Sequence, residues 1–181
     1  MLGQINTFSD DLRCDDEIVD LDLETDGLDP FAHRPFALGL GLRGRVYAAR
    51  WTPELARWLN RNLPRARVVS AFNAKFDLHM LAQGGIKMSV LHGTNVYCSM
   101  ITEILLDEHR DAYDLDSTAK RRLGRGKINK GGLLPHQMPW GQLVEYLAED
   151  VRLAGAVRKA QGPEIEAQGL SGIHQIEMQA L

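Results

Sequence analysis

Cysteine is scarce: Cys14 and Cys98 are the two in 181 residues. Two lone thiols make neither a disulfide framework nor a zinc site, and both are expected as reduced thiols of a cytosolic protein. Long apolar runs are missing as well; no stretch approaches the ~18–20 residues that span a membrane. Residues 1–16 turn acidic and hold no apolar centre, which argues against a secretory signal. Internal repeats and low-complexity segments are absent. An excess of basic charge is also lacking: the formal net charge is −3, so bulk charge does not announce a nucleic-acid partner.

What remains is ordinary for one globular domain with a full core, at 44% hydrophobic and 25% charged residues. The charges, however, are sorted along the chain. Over residues 43–67 seven arginines accompany a single acid, Glu54. A second basic cluster holds Lys120, Arg121, Arg122, Arg125, Lys127 and Lys130, while acids crowd into residues 10–29. An acidic centre with basic flanks suits a metal-dependent enzyme acting on a polyanion, although arginines also decorate solvated faces.

Hydrophobic patterning predicts a strand over 17–25, a turn at Asp26-Gly27-Leu28-Asp29-Pro30, and strands over 35–42 and 46–49 joined at Arg43-Gly44. That is a β-meander. A helix follows to about Asn62, with Thr52 as its cap, Pro53 at its first position and Glu54 at the positive end of its dipole. The strand over 67–71 then fits a crossover to a parallel neighbour. Further helices are expected from Lys75 to Gly84-Gly85, over 99–106, from a cap at Asp116 or Ser117 to Leu123-Gly124, and from Trp140 to about Gln161. A short strand is expected over 95–97 and a loop over 124–139. Gly162-Pro163 is expected to break the chain, leaving a separate C-terminal helix over 162–181. Residues 1–16 read as a tail or a short extra strand. Pattern alone thus supports a mixed α/β domain over 17–161.

The first strand carries the strongest chemical signal. In Leu21-Asp22-Leu23-Glu24, residues two apart share a face, so Asp22 and Glu24 point one way and the leucines the other. Close carboxylates repel and resist desolvation unless a cation sits between them. Asp-x-Glu at a strand end therefore points to a divalent metal with oxygen ligands; an exposed edge strand with an acidic face is the plainer alternative. Two later stretches bear acids in helical contexts: Phe72-Asn73-Ala74-Lys75-Phe76-Asp77-Leu78-His79 and Tyr146-Leu147-Ala148-Glu149-Asp150. Asp77 alone also fits a surface acid, and Asn73 a cap. Tyr146 and Asp150, at i and i+4, share one helix face, which also fits simple packing. Glu149, about 100° round the helix, is expected to face solvent.

With these three motifs in this order, residues 17–160 resemble the 3′–5′ proofreading exonuclease domain of DNA polymerase I-type (family A) polymerases, in the DnaQ-like, DEDDy group. The resemblance implies an RNase H-like mixed sheet, antiparallel meander plus parallel strands, flanked by helices. It implies Asp22, Glu24, Asp77 and Asp150 as ligands of two divalent ions, Mg²⁺ or Mn²⁺, with Tyr146 orienting the attacking water. Asp22 would bridge both ions, Glu24 and Asp150 hold the ion that carries the water, and Asp77 support the other. Thr25, Leu28 and Asn73 match substrate-binding positions: a backbone contact to the terminal nucleotide, a wedge between the last bases, and a contact near the site. Core packing is the alternative for Leu28. His79 reads as surface or substrate-proximal. One departure is Tyr97-Cys98-Ser99-Met100, where family members commonly carry Asp-Thr; it bears on how the metal shell is braced.

The activity so implied is metal-dependent 3′–5′ DNA exonuclease action of the proofreading type, releasing 5′-mononucleotides from a single-stranded or frayed 3′ end. Its partner would be a polymerase domain or subunit, to which the C-terminal helix would lead; a stand-alone exonuclease, or a terminal helix that simply docks, is the alternative. No membrane partner is expected; the location would be cytoplasm, or host cytoplasm for a phage protein. The alternatives are an RNase D-like RNA exonuclease and a catalytically silent nucleic-acid-binding domain of a polymerase.

Overall fold

The computed structural model describes residues 5–6, 12–91, 94–128 and 131–181, so Lys130 and most of the expected tail lie outside the described residues. From the tail, β1 (Ile5–Asn6) is a short edge strand parallel to the third strand of the meander. The meander itself is β2 (Ile18–Thr25), β3 (Pro35–Leu42) and β4 (Arg45–Arg50), all antiparallel neighbours. Its second turn, Arg43-Gly44, has φ of +52° and +74°, the left-handed pair that suits the twist of a two-residue hairpin. Next comes α1 (Pro53–Asn62), whose Thr52 hydroxyl accepts the Leu55 N–H at 3.2 Å as the sequence predicts. β5 (Val68–Ala71) then lies parallel to β2. After α2 (Ala74–Gln83), β6 (Asn95–Cys98) adds to β5 in parallel, and the sheet order is β1-β4-β3-β2-β5-β6.

Strand alternation gives the two sheet faces different work. Val19, Leu21 and Leu23 of β2, with Leu38 and Leu40 of β3, point into the main core, closed by Leu55, Trp58 and Leu59 of α1 and by Met80 and Leu81 of α2. The opposite face carries the acids of β2 and receives the last long helix. Before that helix come α3 (Ser99–Leu106) and α4 (Leu115–Leu123). The cap of α4 is Asp114, whose carboxylate accepts the Ser117 N–H at 3.0 Å, rather than Asp116 or Ser117 as expected. The loop over 124–139 holds one 3₁₀ turn, Pro135–Gln137.

The long helix, α5 (Trp140–Ala167), crosses the acidic face. Two glycines in β3 allow its close approach. A Cβ on Gly39 would stand 2.8 Å from Val151 Cγ2, and one on Gly41 2.9 Å from Val151 Cγ1. Contrary to expectation, α5 does not stop at Gly162-Pro163 but runs through them, ending before Gly169 (φ +69°). The short α6 (Ser171–Gln179) follows, so the expected helix over 162–181 is divided between the two. Pro163 costs one helical hydrogen bond, but packing on both sides outweighs it. Gln161 and Ile165 are buried, and Gln161 Nε2 donates to Ser99 O and Glu103 Oε2, both at 2.9 Å.

Candidate metal centre

Asp22 and Glu24 leave β2 on the face that α5 covers, and Asp150 comes down from α5 to meet them. One carboxylate oxygen from each lies within 4.8 Å of the others. Asp77, in the first turn of α2, is buried beside this trio, and the Leu23 backbone N–H donates to its carboxylate. Residues more than a hundred positions apart thus converge because β2 runs down the sheet centre while α2 and α5 approach its end from opposite faces.

The cluster is electrostatically stressed. Burial, then the charges of Asp150, Glu24 and Asp77, push the Asp22 carboxyl well above the ordinary range. Burial and the Glu24 charge push Asp77 up to about 8, although two backbone N–H bonds pull it down. Tyr146, 4% exposed, is one turn before Asp150 and hydrogen-bonds its carboxylate. Burial and the neighbouring Asp150 and Glu24 raise its phenol, which therefore stays neutral near pH 7.

The donor set fits a hard divalent cation. Three carboxylates give oxygen ligands only, the choice of Mg²⁺ and Mn²⁺ over softer metals. Ligands at 2.0–2.1 Å span up to about 4.2 Å across an ion, close to the 4.8 Å that encloses the trio. Asp77 lies outside that trio, and its charge acts on Asp22.

Sequence reasoning missed how Lys127 is used. Its ammonium stands 2.5 Å from Asp150 Oδ2 and 4.8 Å from the Tyr146 ring centroid. Burial acts to lower its pKa, but Asp150, Asp22 and Glu24 outweigh it and hold the ammonium charged. The basic run over 120–130 gave no sign that one member would turn inward. The rest of that run is largely spent on the chain's own acids: Lys120 pairs with Asp116 at 2.6 Å, Arg122 with Glu103, and Arg125 with Glu149. Glu149, expected in solvent, is accordingly buried, because Arg125 and Arg152 both reach its carboxylate.

The residues matched to substrate binding lie at the end of β2, on the turn after it and just before α2. Thr25 is half-buried, and its hydroxyl donates to Gly27 O at 2.7 Å. Leu28 is 83% exposed on the following turn, with Phe31 at 81% beside it in the chain, so neither is a core residue. Asn73 precedes α2 without a side-chain cap bond; its carbonyl accepts the Asp77 N–H at 3.1 Å. His79 is exposed. At the Tyr97-Cys98-Ser99-Met100 departure, bracing comes instead from α5: Gln161 holds Ser99 O, and Tyr97 Oη donates to Gln161 Oε1 at 3.3 Å.

In fold the chain is similar to solved nucleases, and in sequence to one stretch of phage DNA polymerases. It is 31% identical over 180 residues to the DNA polymerase DpoZ of Acinetobacter phage SH-Ab 15497, a match covering 88% of this chain and 28% of that polymerase. It is 28% identical to the DpoZ of Salmonella phage PMBT28, again over 28% of its length. The chain therefore spans less than a third of the curated relatives it matches. Among solved structures it is similar to Brucella melitensis NrnC, with a TM-score of 0.73 at 20% identity over 97% of this chain and 86% of that one. NrnC is also known with bound Mg²⁺ and bound to pGG. Pol1 from M. smegmatis, solved with DNA primer-template and dNTP, is similar at a TM-score of 0.65 and 17% identity, over 87% of this chain and 25% of that one. No family model matches the chain.

Proposed function

We propose that the domain is a metal-dependent 3′–5′ exonuclease that removes 5′-mononucleotides one at a time from a single-stranded or frayed 3′ end of DNA, as a proofreading unit beside a polymerase. The observation that carries this reading is the meeting of Asp22, Glu24 and Asp150 within 4.8 Å, with Asp77 buried alongside and Tyr146 one helical turn away. Two divalent ions held there, Mg²⁺ or Mn²⁺, would activate water and stabilise the leaving 3′ oxygen. Asp22, Glu24, Asp77 and Asp150 are the residues that would hold them. The Tyr146 hydroxyl, neutral and held by Asp150, orients the attacking water by hydrogen bonding. Exposed Leu28 wedges between the last two bases, a contact that any sequence permits. Thr25 and Asn73 hold the terminal nucleotide.

The test is shortening of a 5′-labelled oligonucleotide by the full chain in Mg²⁺ or Mn²⁺. A ladder from the 3′ end is expected, abolished by chelator and by Asp22→Ala/Glu24→Ala. Intact substrate under both metals refutes the reading. Action on RNA is the second reading. It is favoured by the NrnC likeness, which extends over 97% of this chain and includes a form bound to pGG. Matched DNA and RNA oligonucleotides separate the two.

A further inference from the structure

The carboxylate cluster already holds one cation in this structure, and that cation belongs to the chain. Lys127 Nζ lies 2.5 Å from Asp150 Oδ2, over the face of Tyr146 at 4.8 Å, within the fields of Asp22 and Glu24. The ammonium thus sits on one of the three carboxylates that would hold an ion at the Asp22, Glu24 and Asp150 trio.

The placement is built rather than incidental. Gly124, at φ +69°, ends α4 and turns the chain back. Asp116 then holds the loop: its Oδ1 accepts the Lys127 backbone N–H at 2.8 Å, while Lys120 Nζ fixes its Oδ2 at 2.6 Å. Gly126 lies so close under this clamp that a Cβ there would fall 2.1 Å from Asp116 Oδ1. The Lys127 backbone is thereby fixed beside the site. The side chain is 26% exposed, which leaves its four-carbon stem a route to solvent.

Resting on the reading of the cluster as a metal site, we propose that Lys127 is its resident counter-ion. In the metal-free protein the ammonium neutralises part of the charge on the buried acids. A divalent ion competes with it for Asp150 and displaces it. Lys127 is thus a positioning residue: it keeps the acids assembled without metal and sets the affinity with which metal enters. Displacement also lifts the ammonium from the Tyr146 ring, uncovering the phenol as the metal arrives.

Calorimetric titration of Mn²⁺ into the metal-free full chain tests this. Lys127→Gln removes the competitor, so Mn²⁺ is expected to bind about tenfold tighter, the scale of a lost charge-assisted contact. The metal-free variant melts lower than wild type. Lys127→Arg keeps the charge and stays within about threefold of wild-type affinity. Structural damage would weaken binding, the opposite sign. A second measurement uses wild type alone: acylation of the Lys127 amine, read by peptide mass spectrometry, rises on saturation with Mn²⁺ while exposed Lys75 and Lys87 do not change. Equal or weaker binding by Lys127→Gln, or acylation of Lys127 that metal leaves unchanged or lowers, overturns the proposal alone. Failure of wild type and both variants to bind Mn²⁺ overturns the metal reading with it.

Discussion

Gly39→Ala is the sharpest test of how α5 delivers Asp150 and Tyr146. The added Cβ stands 2.8 Å from Val151 Cγ2 and 3.3 Å from the Leu147 carbonyl oxygen, against an optimum of about 3.5–4.0 Å for carbon pairs. Val151 is buried and β-branched, with little rotamer freedom, and the carbonyl is backbone. Relief must therefore come from α5 lifting off the sheet by roughly 1 Å. Overpacking of this kind costs about 1–3 kcal/mol, and removing a strand glycine returns about 0.5–1 kcal/mol. The net loss, about 1–2 kcal/mol, lowers Tm by roughly 2–8 °C for a chain of this size. Val151 adjoins Asp150, so the same shift displaces a carboxylate that must sit correctly; a 1 Å error there costs up to ~100-fold in rate. Thermal melting and the rate of 3′-end shortening measure the two effects. Val151→Ala in the same chain should relieve the clash, giving a favourable coupling of about 1 kcal/mol across the double-mutant cycle. Unchanged Tm and rate in Gly39→Ala would refute the claim that glycine seats the helix. Zero coupling would place the contact elsewhere.

Tyr146→Phe keeps the ring and removes the hydroxyl; kcat is expected to fall roughly 10–100-fold with calorimetric Mn²⁺ affinity unchanged, and an unaltered kcat would remove Tyr146 from the chemistry. Asp77 is raised to about 8 in the fold and Asp22 is raised as well. The fold therefore favours their protonated forms, so this contribution to the stability of the metal-free protein is complete below the unfolded carboxylate range and lost as pH climbs through 8. Metal-free Tm should accordingly drop between pH 5 and pH 8, and added Mn²⁺ should raise Tm more at pH 8; a metal increment independent of pH contradicts this. Glu103→Ala takes from Arg122 one of its two acids, leaving Glu164 at 2.9 Å, and takes from buried Gln161 an acceptor, at a cost of about 1–3 kcal/mol in urea unfolding; no measurable loss would show the pair to be unimportant.

The parts legible in the sequence were those governed by short-range rules. Alternation along β2 put Asp22 and Glu24 on one face and Leu21 and Leu23 on the other, and the structure keeps that division. Thr52 and the Arg43-Gly44 turn acted as their local chemistry required. Long-range packing decided the rest. Pro163 marks a break by every local rule, yet buried Gln161 and Ile165 hold the helix through it. Glu149 looked solvent-facing because its partner Arg125 lies 24 residues away, across a loop no pattern could place. Lys127 was indistinguishable from its basic neighbours until the Asp116 clamp and Gly126 turned it inward.

Those arginine pairs also explain why the cluster alone is left short of positive charge. Asp20, on the same face of β2, is matched by Arg158 with bonds of 2.8 and 3.1 Å. Glu149 has Arg125 and Arg152; Glu103 has Arg121 and Arg122. Each is a buried or half-buried acid with a guanidinium in reach, the arrangement that makes burial tolerable. At the cluster, by contrast, Asp150 pairs with the ammonium of Lys127, yet the charges of Asp150, Glu24 and Asp77 still push the Asp22 carboxyl well above the ordinary range. The deficit falls where the donors are oxygens only and within 4.8 Å of one another. A lysine ammonium offsets one of these negative charges, whereas a divalent ion offsets two and takes oxygen ligands directly. The local excess of negative charge is thus the physical reason the site suits a divalent metal.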